Sequence, residues 1–170
     1  MMNRRAFSLL ALASACGSIA RACGDKLLAI GHGVFFQRSY IAKRPASIII
    51  YVGPRPNSAP TKEPDLQASL KTAGHKPQLV TDEARLRELL QSGHIDLVLA
   101  DYSEAGSLKR QTQASPSKPS VLPMLYKPSK TEFVAASKVY PFVLKTPSKG
   151  GEYLLAIDEA MKERERRSRS

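Results

Sequence analysis

Asp101 follows the largely apolar run Ile95 to Ala100, so a buried strand would deliver an acid at its carboxyl end. A carboxylate in that position can act as nucleophile, base or cation ligand. Ser103 and Glu104 follow it, but nothing in the sequence sets a base against Ser103. His32, His75 and His94 fall in separate loops without metal-ligand spacing, and His75 reads as part of the Ala73-Gly74-His75 turn. There is no Gly-x-Ser-x-Gly elbow, phosphate loop or dinucleotide fingerprint. No catalytic set and no metal site are expected, and the chain is not expected to be an enzyme.

The elements that must hold Asp101 are legible on either side of it. Ala46 to Val52 is a β-branched apolar run closed by Gly53-Pro54, as a strand buried on both faces requires. Leu66 to Ala73 has apolar residues at 66, 70 and 73 and ends at Gly74, which predicts an amphipathic helix with a glycine C-cap. Gln78 to Val80 is a short strand. Thr81 or Asp82 can cap a helix with Leu86, Leu89 and Leu90 in its core stripe.

Beyond Asp101, Tyr102 to Thr112 supports a short helix, and Ser120 to Tyr126 a strand that Pro123 should interrupt or bulge. Thr131 to Lys138 reads as a short helix and Pro141 to Leu144 as the last strand. Gly150-Gly151 opens a long helix with Tyr153, Leu154, Ile157 and Met161 on one face. Five strands alternating with five helices predict a doubly wound α/β fold: a five-stranded parallel sheet covered on both faces.

The order of these elements, together with Leu70-Lys71-Thr72-Ala73-Gly74-His75, Asp82 to Leu90 and Asp96-Leu97-Val98-Leu99-Ala100-Asp101, resembles the response-regulator receiver domain from Ala46 to about Lys162. The resemblance implies a flavodoxin-like strand order 2-1-3-4-5. It makes Asp101 the counterpart of the phosphoacceptor. Leu144-Lys145-Thr146-Pro147 looks like the family's Lys-Pro signature with Thr146 inserted, so Lys145 becomes the counterpart of its lysine.

The departures from that pattern bear on function. Phosphorylation in the family uses Mg²⁺ held by an acidic pair after the first strand, and here Tyr51-Val52-Gly53-Pro54-Arg55 carries no acid. Glu63 and Asp65 would have to fold back to replace it. Val121 to Tyr126 lacks the Ser or Thr expected there. Asp101 is therefore expected to pair with Lys145 as a remnant, with no cofactor and no Mg²⁺. The implied reading is a pseudo-receiver acting as a non-enzymatic signalling or protein-interaction module. The alternative is a working phosphoacceptor in a phosphorelay, phosphorylated on Asp101. By the same resemblance, partners would meet the face built from the fourth and fifth strands and the last helix, with Tyr126, Tyr140 and Tyr153 as candidate contacts.

The N-terminus reads as an address. Arg4-Arg5, the apolar stretch Ala6 to Ala15 and Ala20-Arg21-Ala22 have the three-part form of a signal peptide over residues 1–22. Asn3-Arg4-Arg5-Ala6-Phe7 also resembles a twin-arginine signal, so either Sec or twin-arginine export to the periplasm or beyond is expected. The apolar run is too short for a stable membrane span. Cys16 and Cys23 are the two residues a lipid anchor would use. Ala rather than Leu stands three positions before each, so a soluble exported chain is the preferred expectation over a lipoprotein.

Residues 23–45 read as an N-terminal extension, 46–162 as the receiver-like domain and 163–170 as a basic tail. The net charge is +11. Arg4, Arg5 and Arg21 lie in the leader, which holds no acid, leaving about +8 on the rest. The C-terminal cations alternate with Glu163 and Glu165, Trp is absent, and no nucleic-acid partner is expected. An unnamed protein partner is, or weak pairing with a second copy.

Overall fold

The computed structural model describes residues 28–29, 34–35, 41–55, 58–148 and 152–169. The expected leader, both cysteines and His32 lie outside them. The chain divides into two units, Met1–Arg38 and Ser39–Ser170. In the first, strands β1 (Leu28–Ala29) and β2 (Val34–Phe35) pair antiparallel.

The second unit is built on strand β3 (Ser47–Tyr51), which lies between β4 (Lys76–Val80) and β5 (Leu97–Asp101). Strands β6 (Ser120–Tyr126) and β7 (Leu144–Thr146) continue the sheet, all parallel, in the order β4-β3-β5-β6-β7. Taken by position among these five, that order is 2-1-3-4-5, as expected.

The uninterrupted apolar run of β3 has a simple cause. Ile48 and Ile50 face one side of the sheet and Ile49 and Tyr51 the other, and both sides are covered. Helices α1 (Leu66–Thr72) and α5 (Glu152–Arg169) close the first side through Leu66, Leu70, Leu154 and Ile157. Helices α2 (Glu83–Gln91) and α3 (Tyr102–Gln113) close the second through Leu86, Leu90 and Leu108. Each such side chain taken out of water contributes about 1.5–3 kcal/mol. Helix α4 (Lys130–Val139) buries only Ala136 and leaves Val134 and Val139 exposed. Among the described residues no helix is long and apolar enough to cross a membrane.

Local signals set the boundaries. Gly74 takes φ +94° after α1, with its N–H donating to Lys71 and that of His75 to Leu70, which satisfies the helix's last carbonyls. Asp82 caps α2 by accepting from the Arg85 N–H at 2.8 Å. Ser129 and Glu132 form a reciprocal capping box on α4.

Three expectations change, and one segment without an expectation takes up structure. Pro123 causes no bulge: β6 stays in one-to-one register with β5 from Ser120 to Met124, and β7 joins only from Met124 onward. The last strand begins at Leu144 rather than Pro141, after a bend through Pro141. The Pro-rich segment before α1 contains a 3₁₀ turn at Ala59–Lys62. The run expected as a tail continues α5 to Arg169, held by an ion pair from Arg164 to Asp96 at 3.0 Å and one from Arg44 to Glu165 at 3.0 Å. Strand β4 is a sheet edge; it carries Pro77 and exposes Leu79.

Candidate functional site

Strand β3 is the point where the strand order reverses, so the crevice of the sheet opens outside the carboxyl ends of β3 and β5. Asp101 ends β5 at this mouth and is also the N-cap of α3. Its Oδ1 accepts from the Ser103 N–H at 2.9 Å and from the Ser103 hydroxyl at 2.6 Å. Its Oδ2 accepts from the Ala59 N–H at 2.9 Å. The carboxylate thus anchors the first turn of a helix and the 3₁₀ turn at once. Burial alone would raise its pKa. The hydrogen bonds from Ser103 and Ala59, with the charge of Arg55, outweigh burial and hold it below the ordinary carboxylate value. A carboxylate so disposed is a weak base toward Ser103.

The second acid of the site is Glu104, in the first turn of α3. Its carboxyl lies against the backbone of Gly53, where a Cβ would collide with it. One oxygen, Oε2, is buried without a hydrogen bond. Burial first, then the neighbouring Asp101 charge, push its pKa up, and Arg55 partly offsets them. Gly53 and Glu104 together place a carboxyl beside the end of the first sheet strand, which itself supplies none. The pattern of a glycine closing one strand and an acid three residues after another was available in the sequence, but only the sheet order brings the two together.

Lys145 does not pair with Asp101. It stands two strands away, as the order 2-1-3-4-5 requires, and its ammonium sits 4.0 Å over the ring of Phe133 on α4. Among the described residues no carboxylate lies within ion-pair distance of it. Glu63 does not fold back to Asp101 but accepts from the Ser148 N–H at 2.6 Å, tying the 3₁₀ turn to the exit of β7. Asp65 is exposed. Among the described residues no three His, Cys, Asp or Glu side chains are grouped to hold a metal ion.

His75 is buried; its Nδ1 accepts from the Ala46 N–H at 3.3 Å. His94 is exposed. Of the three tyrosines expected on a partner face, Tyr140 and Tyr153 are 7% and 6% exposed, which corrects that expectation. Tyr140 packs edge-on to Tyr102 at 5.9 Å, and Tyr153 belongs to the core beneath α5. Tyr126 is 41% exposed, with the Lys127 ammonium 5.3 Å from its ring centre.

No protein-family profile matches this chain, and no curated protein matches it in sequence. Among solved structures it is similar to a crystal structure of a response regulator from Thermotoga maritima, with a TM-score of 0.50 and 14% identity, over 69% of this chain and 98% of that one. Together with the sheet order, this likeness shows a receiver-like, flavodoxin-like α/β fold.

Proposed function

We propose that the chain is an exported pseudo-receiver, a non-enzymatic module that acts by binding a protein partner. The observation that carries this reading is the occupation of Asp101: its carboxylate accepts three hydrogen bonds that hold α3 and the 3₁₀ turn, so phosphorylating it would break the local frame. Glu104 is the other acid at the site, and the Arg55 charge acts on both carboxylates, which sets a cation of the protein's own against Mg²⁺ there. No Mg²⁺ or other cofactor enters this reading. The leader pattern in residues 1–22 supports export to the periplasm or beyond, away from cytoplasmic ATP. The exposed side chains Tyr126, Val134, Val139 and Leu155 lie on β6, α4 and α5, and Tyr126 is the candidate contact that remains.

The alternative, a phosphoacceptor in a phosphorelay, draws on Asp101 at the carboxyl end of the central strand of a receiver-like sheet. One experiment separates the two. Mg²⁺ and beryllofluoride are titrated into the protein while the amides of Asp101 and Lys145 are followed by NMR. No saturable shift is expected. A saturating response, or acetyl phosphate labelling of Asp101, would overturn the pseudo-receiver reading.

A further inference from the structure

At the opposite end of the sheet from Asp101 lies a cleft of about 500 Å³, within the range of small-molecule sites. It is bounded by the end of α3, the loop entering β6, the bend before β7 and the last turns of α5. Its charged lining is of one sign. Lys109, Lys118, Arg164 and Arg167 contribute, and no Asp or Glu does. Half-buried Phe142 supplies aromatic surface among the cations, alongside prolines of the loop and the bend, and buried Tyr140 lies behind it.

The four cations are not equivalent. Arg164 is committed: it pairs with Asp96 at 3.0 Å and donates to the Ser117 carbonyl at 2.9 Å, which fixes α5 against the loop. Arg167 leans on Glu163 at 3.4 Å. Lys109 and Lys118 have no carboxylate within ion-pair distance among the described residues. The Lys109 ammonium stands 5.6 Å from the centre of the Tyr140 ring, so one cation already lies over an aromatic wall. Lys118 holds φ +44°, a backbone state that glycine adopts at lower cost, so a long cationic side chain stands where a bare backbone would be easier to build.

The geometry points to a binding site for a small organic anion with an aromatic ring, its ring against Phe142 and the prolines Pro116 and Pro141 and its charge between Lys109 and Lys118. Charge complementarity selects the anion, since a positive cleft with low-dielectric walls concentrates negative ligands. The aromatic lining and the volume select a flat apolar body over a bare ion. A site of this kind is independent of Asp101 and of how the other end of the sheet is read.

The test uses the full chain and two matched probes, 2-naphthoate and its uncharged analogue 2-naphthalenemethanol, followed by amide shifts and calorimetry. Naphthoate should bind saturably, with shifts confined to the amides around Lys109, Lys118 and Phe142. The alcohol should bind about tenfold more weakly, as losing one or two partly exposed ion pairs implies. The Lys109→Gln/Lys118→Gly pair should weaken naphthoate by a similar factor and leave the alcohol unchanged. Both positions are exposed and the glycine relieves the positive φ, so the fold should survive; retained thermal stability is the control. Equal binding of acid and alcohol, an unchanged naphthoate affinity in the double variant, shifts centred elsewhere, or no saturation up to about 10 mM would each overturn the assignment.

Discussion

Asp101 accepts from two backbone N–H groups and a hydroxyl, so its removal strands donors on two different segments. Asp101→Ala should cost about 1–2 kcal/mol in urea denaturation, whereas Asp101→Asn, which can still cap α3, should cost much less. A carboxylate held below its unfolded pKa stabilises the fold above that unfolded value, and the contribution is lost as the pH falls from about 4 through the folded pKa. His75 acts earlier on the way down. Burial lowers its pKa against a partial counter-pull from Asp158, so the unfolded chain takes up its proton first and stability declines once the pH drops below about 6.5. Replacing His75 with Asn should flatten the stability–pH curve just below about 6.5 without changing the steeper loss below about 4. A slope in that upper window equal to that of the parent protein would contradict the assignment. Glu104 has the opposite sign: its raised pKa gives stability present in acid and lost as the pH rises through the folded value.

At the level of elements, the helix signals carry testable weight. The Ser129–Glu132 box closes a helix that buries only Ala136, so α4 depends on its cap more than the core helices do. Ser129→Ala should destabilise by about 1 kcal/mol and raise amide exchange within α4 before the rest of the molecule opens. The same contrast explains what could be read in advance. Strands β3 and β5 were legible because both of their faces are buried, which leaves an unbroken apolar run, and α1 because Gly74 marks its end. The start of β7 is not legible, because Pro141 and Phe142 continue the apolar run into Leu144 while the chain bends through Pro141. The resemblance sets Lys145 beside Asp101; what the sequence does not record is that the Phe133 ring lies within reach of the ammonium. Glu104 stands in plain view after Asp101, but its place over Gly53 depends on the alignment of two strands' ends, which no local pattern encodes. The resemblance puts Tyr140 and Tyr153 on the partner face, but tyrosine is at home both on surfaces and in cores, and only the packing decides.

Across the whole molecule, the two ends of the sheet are fastened differently. The carboxyl end is held by hydrogen bonds to Asp101 and Glu63, the amino end by ion pairs of the α5 cations and Arg44. The partly exposed Arg164–Asp96 pair and the Arg164 bond to Ser117 should be worth about 1 kcal/mol together after solvent screening. Arg164→Met should lower stability by roughly that amount, and added salt should shrink the gap between the two proteins. Amide exchange should quicken in the last turns of α5 and at Ser117–Ser120 while the Asp101 end stays protected. Uniform exchange at both ends would mean that the fastening is not local.

Strand β4 ends the sheet with Lys76 and Pro77 near its start and an exposed Leu79 further along. An apolar edge of this kind is ordinarily an invitation for another chain to add a strand. A proline has no N–H to offer such a strand, and a lysine beside it sets a charge against the newcomer. The far edge, β7, is three residues long and offers little to grip. This is protection against misassembly: the sheet that gives the domain its shape is a poor seed for amyloid.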